Sequence, residues 1–536
     1  MKSFNIKYSI GLLILSTPLL CGCIREVFPS DVATTTQLAQ SPDATEFLVS
    51  AIPTTAKSIY NDHVSYSWGL GGIMHIRDVM TEDLATLSNR NWDWFWWWSE
   101  CTDIGAPWMC TQYVWEWNYQ YVQATNNVIN GVNPDVATDM QKAYLGVAYA
   151  NRAMIYLDMA RMYEFLPNKV TNGRNEAGID VTNLTVPIVK AGMKQDDARQ
   201  NPRATREEMA KFIASDLDEA AKYLPLLVNT RNKTFPDVAC IEGLRARLAM
   251  WLEDYPAAEK HARLAINAAR INPMTKDDCL NVANGYNQIE KWMWGVQYTD
   301  QDDAVRDEWL NWTSWMCNET QYGYARKGAF QLIGKRVYDR IANTDFRKLQ
   351  WKAPDGSPLA DQVPFLKPAY KQSLPAYASL KFRPNQGNDE AFKIGEASAF
   401  PIMRVEEMYF IEAEAAAHQD PARGKQLVEN FMKQHRDPSY VCNATAKDAI
   451  VEEIVFQKRI ELWGEGQTFF DVKRLNYSVT RGYEGTNFEP TERINTDGRP
   501  AWMNFVIVDQ EVMSNPILND HNNPDPSGLY KPWTGH

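Results

Sequence analysis

The sequence predicts a mostly α-helical protein whose helices form antiparallel pairs, interrupted by long loop-rich insertions. Two signals carry this prediction: apolar residues at three- and four-residue spacing, and capping residues where such stripes begin. Thr205 and Glu208 form a capping box ahead of one apolar stripe, which Pro225 ends. Residues 143–166 are apolar nearly all round and include the small Gly146, which predicts a central buried helix.

The helix pairs follow from turn and capping residues. A helix is predicted to start at Asp237, and Pro256 opens the helix that returns after a short turn. A second pair is joined across residues 419–421, where an Asp caps and a Pro opens the next helix. One more helix is predicted from Thr445, with Asp448 in the capping-box position.

Helix pairs of this length, with small residues where helices cross, resemble tetratricopeptide units that long insertions separate. Residues 272–400 are rich in Asn, Gly, Asp, Pro and aromatic residues and have little helical periodicity. They are expected to form loops, short helices and small β-hairpins. Loops held on a rigid scaffold are frequent places for binding residues.

The N-terminus has the pattern of an export signal. A basic start and a short apolar run lead to Leu-Cys-Gly-Cys, which ends at Cys23 and resembles the recognition sequence of bacterial lipoprotein maturation. We expect residues 1–22 to be the signal peptide, Cys23 to carry lipid, residues 23–42 to form a tether and residues 43–536 to form a single domain. The alternative is an ordinary secretory signal with an incidental cysteine. No later apolar stretch reaches the ~20 residues of a membrane-spanning helix, so attachment is expected to rest on lipid alone.

Composition narrows the function classes. The formal net charge of −12 argues against nucleic acid and favours neutral or cationic ligands. No cysteine or histidine spacing indicates a metal site, and no cofactor is expected. Cys101 and Cys110 form either a short disulfide or buried free thiols. The acidic run at 300–303 is either a calcium loop or a solvated turn.

Catalysis has no support in sequence motifs. The chain lacks the nucleophile-elbow, metalloprotease, phosphate-loop and dinucleotide patterns. A glycosidase needs only two carboxylates, which a linear sequence does not reveal. No catalytic residue is therefore predicted.

The strongest candidate for a binding site is a run of tryptophans. Five of the nineteen tryptophans lie within residues 92–98, and consecutive aromatic residues point in too many directions to enter one core face. A flat Trp face packs on the C–H face of a sugar ring while neighbouring polar groups bond the hydroxyls. The alternative is that these rings fill the core beneath wide loops, as Trp251 and Trp463 are expected to do on their helix faces. The candidates are Asn91, Trp92, Asp93, Trp94, Trp96, Trp97 and Trp98.

The C-terminal part of the chain carries a family resemblance. Residues 458–474 read Lys-Arg-Ile-Glu-Leu-Trp-Gly-Glu-Gly-Gln-Thr-Phe-Phe-Asp-Val-Lys-Arg, which resembles the signature of the SusD/RagB family of outer-membrane nutrient-binding lipoproteins. Three other segments, residues 152–163, 203–225 and 404–415, resemble other helices of that family and follow one another in the family's order. The chain departs from the family pattern where Gly464 replaces the usual Phe, and where Thr468 and Leu475 replace common Arg and Trp.

The charged residues of this signature are expected to have a structural role. Scattered charges of both signs form no acid/base pair, and ion pairs between them are expected to tie a helix end to a loop. They are Arg459, Glu461, Glu465, Asp471 and Arg474.

The resemblance implies a SusD-like, tetratricopeptide-like scaffold that binds and does not catalyse. It implies as partner a TonB-dependent, SusC-like outer-membrane barrel, with the protein lipid-anchored in the outer membrane and facing the exterior. Glycan-binding family members carry exposed aromatic residues on N-terminal loops and on the central insertion. On that basis the second group of candidates is Trp309, Trp312, Trp315 and Tyr322, with Tyr324 beside them.

The resulting hypothesis is a surface lipoprotein that captures oligosaccharides for nutrient uptake through the barrel. Capture of peptides by the same route is the alternative within the family. A lipid-anchored glycoside hydrolase and a structural helical-repeat adaptor are the alternatives from other classes.

Overall fold

The computed structural model describes residues 42–60, 64–87, 92–283 and 285–535. The predicted signal peptide, Cys23, the tether as far as residue 41 and the candidate Asn91 lie outside the described residues. Within the described ranges, no helix combines the length and apolar character that crossing a membrane requires. The longer helices are α1 (Pro42–Thr55), α2 (Gly69–Val79), α3 (Met109–Gly131), α4 (Asp139–Tyr163), α5 (Arg206–Tyr223), α6 (Val238–Trp251), α7 (Tyr255–Ala269), α8 (Val405–Gln419), α9 (Pro421–His435) and α10 (Lys447–Glu461).

Short helices of one or two turns lie in the connections between the longer ones. They are Trp96–Ser99, Gln195–Ala198, Lys276–Cys279, Asp303–Arg306, Trp312–Met316, Gly323–Arg326, Lys335–Arg340, Pro368–Ser373, Phe392–Gly395, Thr468–Arg474 and Asp509–Ser514.

Most predicted helix starts are confirmed by their capping bonds. The Glu208 N–H donates to Thr205 Oγ1 at 3.2 Å, and the Thr205 N–H donates to the Glu208 carboxylate at 2.9 Å. Asp237 and Asp420 accept from first-turn amides of α6 and α9. These bonds satisfy amide groups that have no partner inside the helix.

The predicted capping box at Thr445 and Asp448 is wrong. α10 begins at Lys447, so Ala446 holds the N-cap position and its methyl side chain accepts no hydrogen bond. Asp448 lies in the first turn, where its negative charge interacts favourably with the positive end of the helix dipole.

The helices form one array in which sequence neighbours pack together. α3 packs on α4, α4 on α5, α5 on α6 and α6 on α7. The chain then leaves the array for residues 270–404, and on its return α8 packs on α7 and carries α9 and α10. Gly146 allows a close crossing, because a Cβ there would lie 2.8 Å from the Leu224 backbone nitrogen. The predicted helix-pair scaffold with a long loop-rich insertion is confirmed.

The strands are small, as predicted, and in the described part of the chain no pair is joined by a tight turn. β1 (Leu84–Leu87) pairs antiparallel with β5 (Phe330–Ile333), β2 (Leu184–Pro187) with β3 (Arg203–Thr205), and β4 (Trp294–Gln297) with β6 (Ala399–Met403). The β1–β5 pair positions the candidate site, because β1 precedes the tryptophan run and β5 follows the aromatic residues of the insertion. It therefore brings the two predicted aromatic groups to the same side of the molecule.

The predicted structural role of residues 458–474 is confirmed. Glu461 accepts from Arg404 Nη1 at 3.1 Å and from Arg436 Nη2 at 2.9 Å. Glu465 accepts from Arg404 Nε at 2.9 Å and from Lys381 Nζ at 2.6 Å. Three more charges of the segment are ion-paired: Arg459 with Asp83, Lys458 with Asp471, and Arg474 with Glu414 and Asp471.

The glycine that departs from the family pattern has a packing reason. Gly464 has φ +74°, and a Cβ there would lie 2.7 Å from the Phe382 ring and 2.8 Å from Met316. Phe382 therefore fills the space that a larger residue at position 464 needs. Trp251 and Trp463 are buried in the core, as predicted.

The six cysteines in the described part of the chain are buried free thiols, so Cys101 and Cys110 form no disulfide. The Cys101 thiol donates to the Trp98 carbonyl oxygen at 3.3 Å, and the Cys110 thiol donates to the Asp103 carbonyl oxygen at 3.1 Å. Burial raises the pKa of both thiols to about 12, which keeps them protonated and inert.

The acidic run at 300–303 is an exposed turn held by a lysine. Asp302 pairs with Lys57 Nζ at 2.6 Å and accepts from the Thr299 N–H at 2.6 Å. The described residues contain no cluster of His, Cys, Asp and Glu that fits a metal ion.

Candidate ligand-binding surface

Part of the tryptophan run lies on the surface of the protein. Trp92 and Trp94 are 37% and 38% exposed, and Trp96 and Trp97 are half-buried. The short helix Trp96–Ser99 fixes the last two of these rings relative to the fold.

Trp97 lies nearly parallel to two other rings of the run. The ring centroids of Trp96 and Trp97 are 4.3 Å apart with 24° between the planes. Those of Trp94 and Trp97 are 6.5 Å apart, also at 24°. Parallel, partly exposed rings present flat apolar faces, which suit ligands that themselves have an apolar ring face.

A second pair of rings extends this surface. Trp309, from the insertion, lies 5.3 Å from Trp92 between centroids, at 35°. Both rings face the ammonium group of Lys327, whose Nζ is 3.9 Å from the Trp92 centroid and 5.5 Å from that of Trp309. We call the five rings the aromatic surface; they are Trp92, Trp94, Trp96, Trp97 and Trp309.

Buried groups hold the aromatic surface in place. Phe95 is fully buried, with its ring 4.4 Å from His75 and 5.4 Å from Trp315 between centroids. The backbone N–H of Trp94 donates to Tyr324 Oη at 3.3 Å. Buried residues thus alternate with exposed ones in this run, which is why it contributes to both the core and the surface.

Three of the predicted tryptophans belong to the core instead. Trp98, Trp312 and Trp315 have no exposed surface. Trp312 stacks on Phe400 at 4.9 Å between centroids, and Trp315 Nε1 donates to the Trp309 carbonyl oxygen at 2.7 Å. Their prediction as ligand contacts is wrong, because packing closes these rings off from a ligand.

Two polar candidates are buried as well. Tyr322 is 2% exposed and its hydroxyl donates to the Asn388 carbonyl oxygen at 2.8 Å. Asp93 is 2% exposed and accepts from the Phe95 N–H at 3.0 Å. Both side chains bond backbone groups inside the fold and offer no group to a ligand.

Lys327 is the site residue that the sequence did not indicate. It precedes Gly328, whose φ of +77° belongs to a tight turn. In sequence this is an ordinary basic turn residue, and only the β1–β5 pairing brings it over Trp92.

The carboxyl groups beneath the aromatic surface have perturbed acidities. Burial raises the pKa of Asp93 to about 6. Burial also raises the pKa of Glu492 to about 8, and the charge of Asp93 contributes to that increase. Near neutral pH, the folded protein therefore holds Glu492 mainly in its protonated form.

We expect Glu492→Gln to stabilise the protein near pH 7. The pKa of Glu492 is about 8 in the folded protein against 4.5 for an ordinary Glu. Between about pH 4.5 and pH 8 the folded protein holds a proton that the unfolded chain has released, so the stability of the wild type falls as the pH rises through this range. In thermal unfolding measured from pH 4 to pH 8, the melting temperature of the variant should increase relative to that of the wild type as the pH rises. Equal pH profiles for the two proteins would contradict this, and the exposed Glu484→Gln is the control.

The scaffold and the aromatic surface define this molecule as a helical-repeat protein with a candidate ligand-binding surface. Two family models match it: one described as the SusD family over residues 296–524, and one described as "Starch-binding associating with outer membrane" over residues 68–248. The chain belongs to the SusD/RagB family, as the sequence resemblance predicted.

Known relatives are similar in fold and distant in sequence. A SusD-like protein of Formosa agariphila is 21% identical over 416 residues, which cover 70% of this chain and 74% of the relative. The crystal structure of a SusD-like carbohydrate binding protein from Bacteroides vulgatus has a TM-score of 0.68 at 19% identity, covering 89% of this chain and 98% of its own. A SusD superfamily protein from Bacteroides thetaiotaomicron has a TM-score of 0.65 at 15% identity, covering 90% and 99%.

Proposed function

We propose that this protein captures oligosaccharides at the aromatic surface and delivers them to a TonB-dependent, SusC-like outer-membrane transporter. The observation that carries the proposal is a group of partly exposed tryptophans in which Trp97 lies nearly parallel to both Trp94 and Trp96. The main hydrophobic core draws residues from Val49 to Leu518, and this supports a single domain over residues 43–536 that works as one binding unit.

The chemistry of the surface favours sugars. Pyranose rings offer C–H groups on one face, which pack against an indole, and hydroxyl groups at the edge, which need polar partners. Tilted pairs such as Trp92 and Trp309 allow adjacent sugar residues of a curved chain to contact rings in different orientations. The carboxyl group of this loop, Asp93, is buried, which supports binding rather than hydrolysis.

The comparisons support the same ligand class. One matching family model is described as starch-binding and associated with the outer membrane, and the Bacteroides vulgatus structure is named a carbohydrate binding protein. We extend these descriptions to this chain as part of the proposal, together with Cys23 lipidation and an exterior position.

A ligand panel tests the proposal. The chain lacking residues 1–23 is titrated calorimetrically with neutral oligosaccharides of different linkage and with peptides of matched length. Saturable binding of an oligosaccharide, with the tryptophan fluorescence change expected for a ligand on indole rings, supports glycan capture. Binding of peptides alone, or binding without a fluorescence change, would overturn it. Co-purification of the membrane-bound protein with a TonB-dependent barrel tests the delivery step separately.

We expect Cys23→Ser to release the protein from the membrane. The apolar segment before Cys23 is too short to span a bilayer, so the lipid is proposed as the attachment. Fractionation of cells should find the wild type with outer membranes and the variant in soluble fractions. The Cys101→Ser variant, which changes a buried thiol, is the control and should remain attached. Membrane retention of the Cys23 variant would contradict lipid anchoring.

A further inference from the structure

A cavity with about 170 Å³ of water-accessible volume lies among the helices of the scaffold, lined by α4, α6, α8, α10 and the residues after α10. It opens to solvent where Pro167 and Glu253 are exposed and Arg206 and Arg499 are half-buried. Its volume corresponds to about five water molecules. We call it the basic cavity, and none of its lining residues belongs to the aromatic surface.

Several charges of the basic cavity are closed ion pairs. Arg247 Nε and Nη2 donate to both oxygens of Glu407, at 2.7 and 2.6 Å. Lys458 pairs with Asp471 at 2.9 Å, and Arg474 donates to the same carboxylate at 3.0 Å. These groups hold helices together and leave little charge to attract a ligand.

Four cations of the basic cavity are not paired one-to-one with a carboxylate. Lys473 Nζ donates to the backbone carbonyl oxygens of Met162 and Glu164, at 2.8 and 2.7 Å. Arg499 likewise donates to backbone carbonyl oxygens, including that of Pro167. Carbonyl oxygens satisfy hydrogen bonds, but they carry no full charge to neutralise these cations.

The other two cations share their carboxylates. Arg161 Nη2 contacts Asp158 at 2.5 Å, while Arg77 contacts the second oxygen of that carboxylate at 2.7 Å. Arg206 Nε lies 3.5 Å from Glu164 Oε1. Two lining carboxylates outside the closed ion pairs remain, Glu164 and the rim residue Glu253. They face four cations, which are Arg161, Arg206, Lys473 and Arg499. The basic cavity therefore has an excess of positive charge inside a protein of net charge −12.

The acidities of these groups reflect the same positive environment. Burial holds the pKa of Lys473 well below its usual range; the charge of Glu164 opposes this shift, while those of Arg499 and Arg203 add to it. Burial lowers the pKa of Arg161 to about 10. A buried anion would relieve this unfavourable charge distribution, because Coulomb attraction is stronger away from bulk water.

We propose that the basic cavity binds a small oxyanion: a phosphate or sulfate ion, or the acidic group of a sugar acid. The mouth formed by Arg206 and Arg499 attracts the anion, and the interior cations Arg161 and Lys473 hold it. This site is separate from the aromatic surface, so its failure in experiment leaves the proposed glycan capture untouched.

Isothermal titration of the chain lacking residues 1–23 with sodium phosphate, sodium sulfate and sodium glucuronate tests the site. All titrations are made at constant ionic strength set with chloride, which removes general salt effects. The expected result is saturable binding at one site per chain for at least one of the three anions. Preference for phosphate or sulfate identifies a free ion as the ligand, and preference for glucuronate identifies a sugar acid. No saturable binding by any of the three would overturn the proposal.

Two variants with opposite expected shifts make the test specific. Arg499→Gln removes a positive charge at the mouth and should weaken binding at least tenfold. Glu164→Gln removes the buried negative charge and should strengthen binding several-fold. Loss of fold weakens binding in either variant, so opposite shifts identify charge as the cause. Unchanged affinity in Arg499→Gln, or weaker binding in Glu164→Gln, would overturn the site. Arg423→Gln, at an exposed ion pair outside the cavity, is the matched control.

Discussion

Replacing Trp94 and Trp96 together with alanine is expected to weaken oligosaccharide binding roughly 30-fold, about 2 kcal/mol, the loss typical of truncating an aromatic hot spot. Both rings lie nearly parallel to Trp97 and are partly exposed, so their removal takes away much of the proposed ligand-facing part of the aromatic surface. The buried Phe95 between them stays in place and keeps the loop anchored. The fold should therefore survive, and the loss should appear as faster dissociation of the ligand.

Titration calorimetry with the best oligosaccharide from the panel measures this effect. The control is Trp108→Ala, because Trp108 is 44% exposed but lies outside the aromatic surface. The control should bind like the wild type. If the double variant also binds like the wild type, the ligand occupies another part of the protein.

Replacing Glu461 with alanine is expected to lower the free energy of unfolding by about 3–5 kcal/mol, the usual cost of removing one partner from a buried ion pair. Glu461 accepts from Arg404 at 3.1 Å and from Arg436 at 2.7 and 2.9 Å, and a third guanidinium, Arg347, lies 3.2 Å away. These arginines are at most 3% exposed. The substitution leaves three buried positive charges near an empty space.

Chemical denaturation followed by circular dichroism measures the change. Glu452→Ala provides the comparison, because Glu452 pairs with Arg340 at the surface, where an ion pair contributes at most about 1 kcal/mol. A loss in Glu461→Ala no larger than that of Glu452→Ala would show that the buried network contributes little to stability. It would also contradict the structural role assigned to the C-terminal signature.

The parts of the fold that depend on neighbouring residues were predictable from sequence. Capping at Thr205, Asp237 and Asp420 depends on groups within three residues, so a linear pattern records it. The start of α10 was not predictable in this way, because the helix begins at Lys447 and leaves Ala446 at the cap although Thr445 offers a better acceptor. Pairing of β1 with β5 depends on contacts between distant segments, which no local pattern encodes.

The same distinction applies to the candidate site. The composition of residues 92–98 indicated a binding surface, but the choice of displayed rings depends on the helix at 96–99 and on the buried partners of Phe95. Trp309 was predicted through the family resemblance and lies beside Trp92. Its neighbours Trp312 and Trp315 are core residues with no exposed surface. The Trp315 side chain turns inward and donates to the Trp309 carbonyl oxygen.

The insertion between α7 and α8 has a consequence for how the chain folds. Helices α3 to α7 contact their sequence neighbours, so they can assemble as soon as they are available. Docking of α8 on α7 must wait until the intervening residues 270–404 are present, because it closes a long loop at an entropic cost. We therefore expect a late folding step in which the C-terminal helices, and with them the buried Arg404–Glu461 pair, complete the array. Until that step the face of α7 stays open, which makes it the surface most at risk of aggregation during folding.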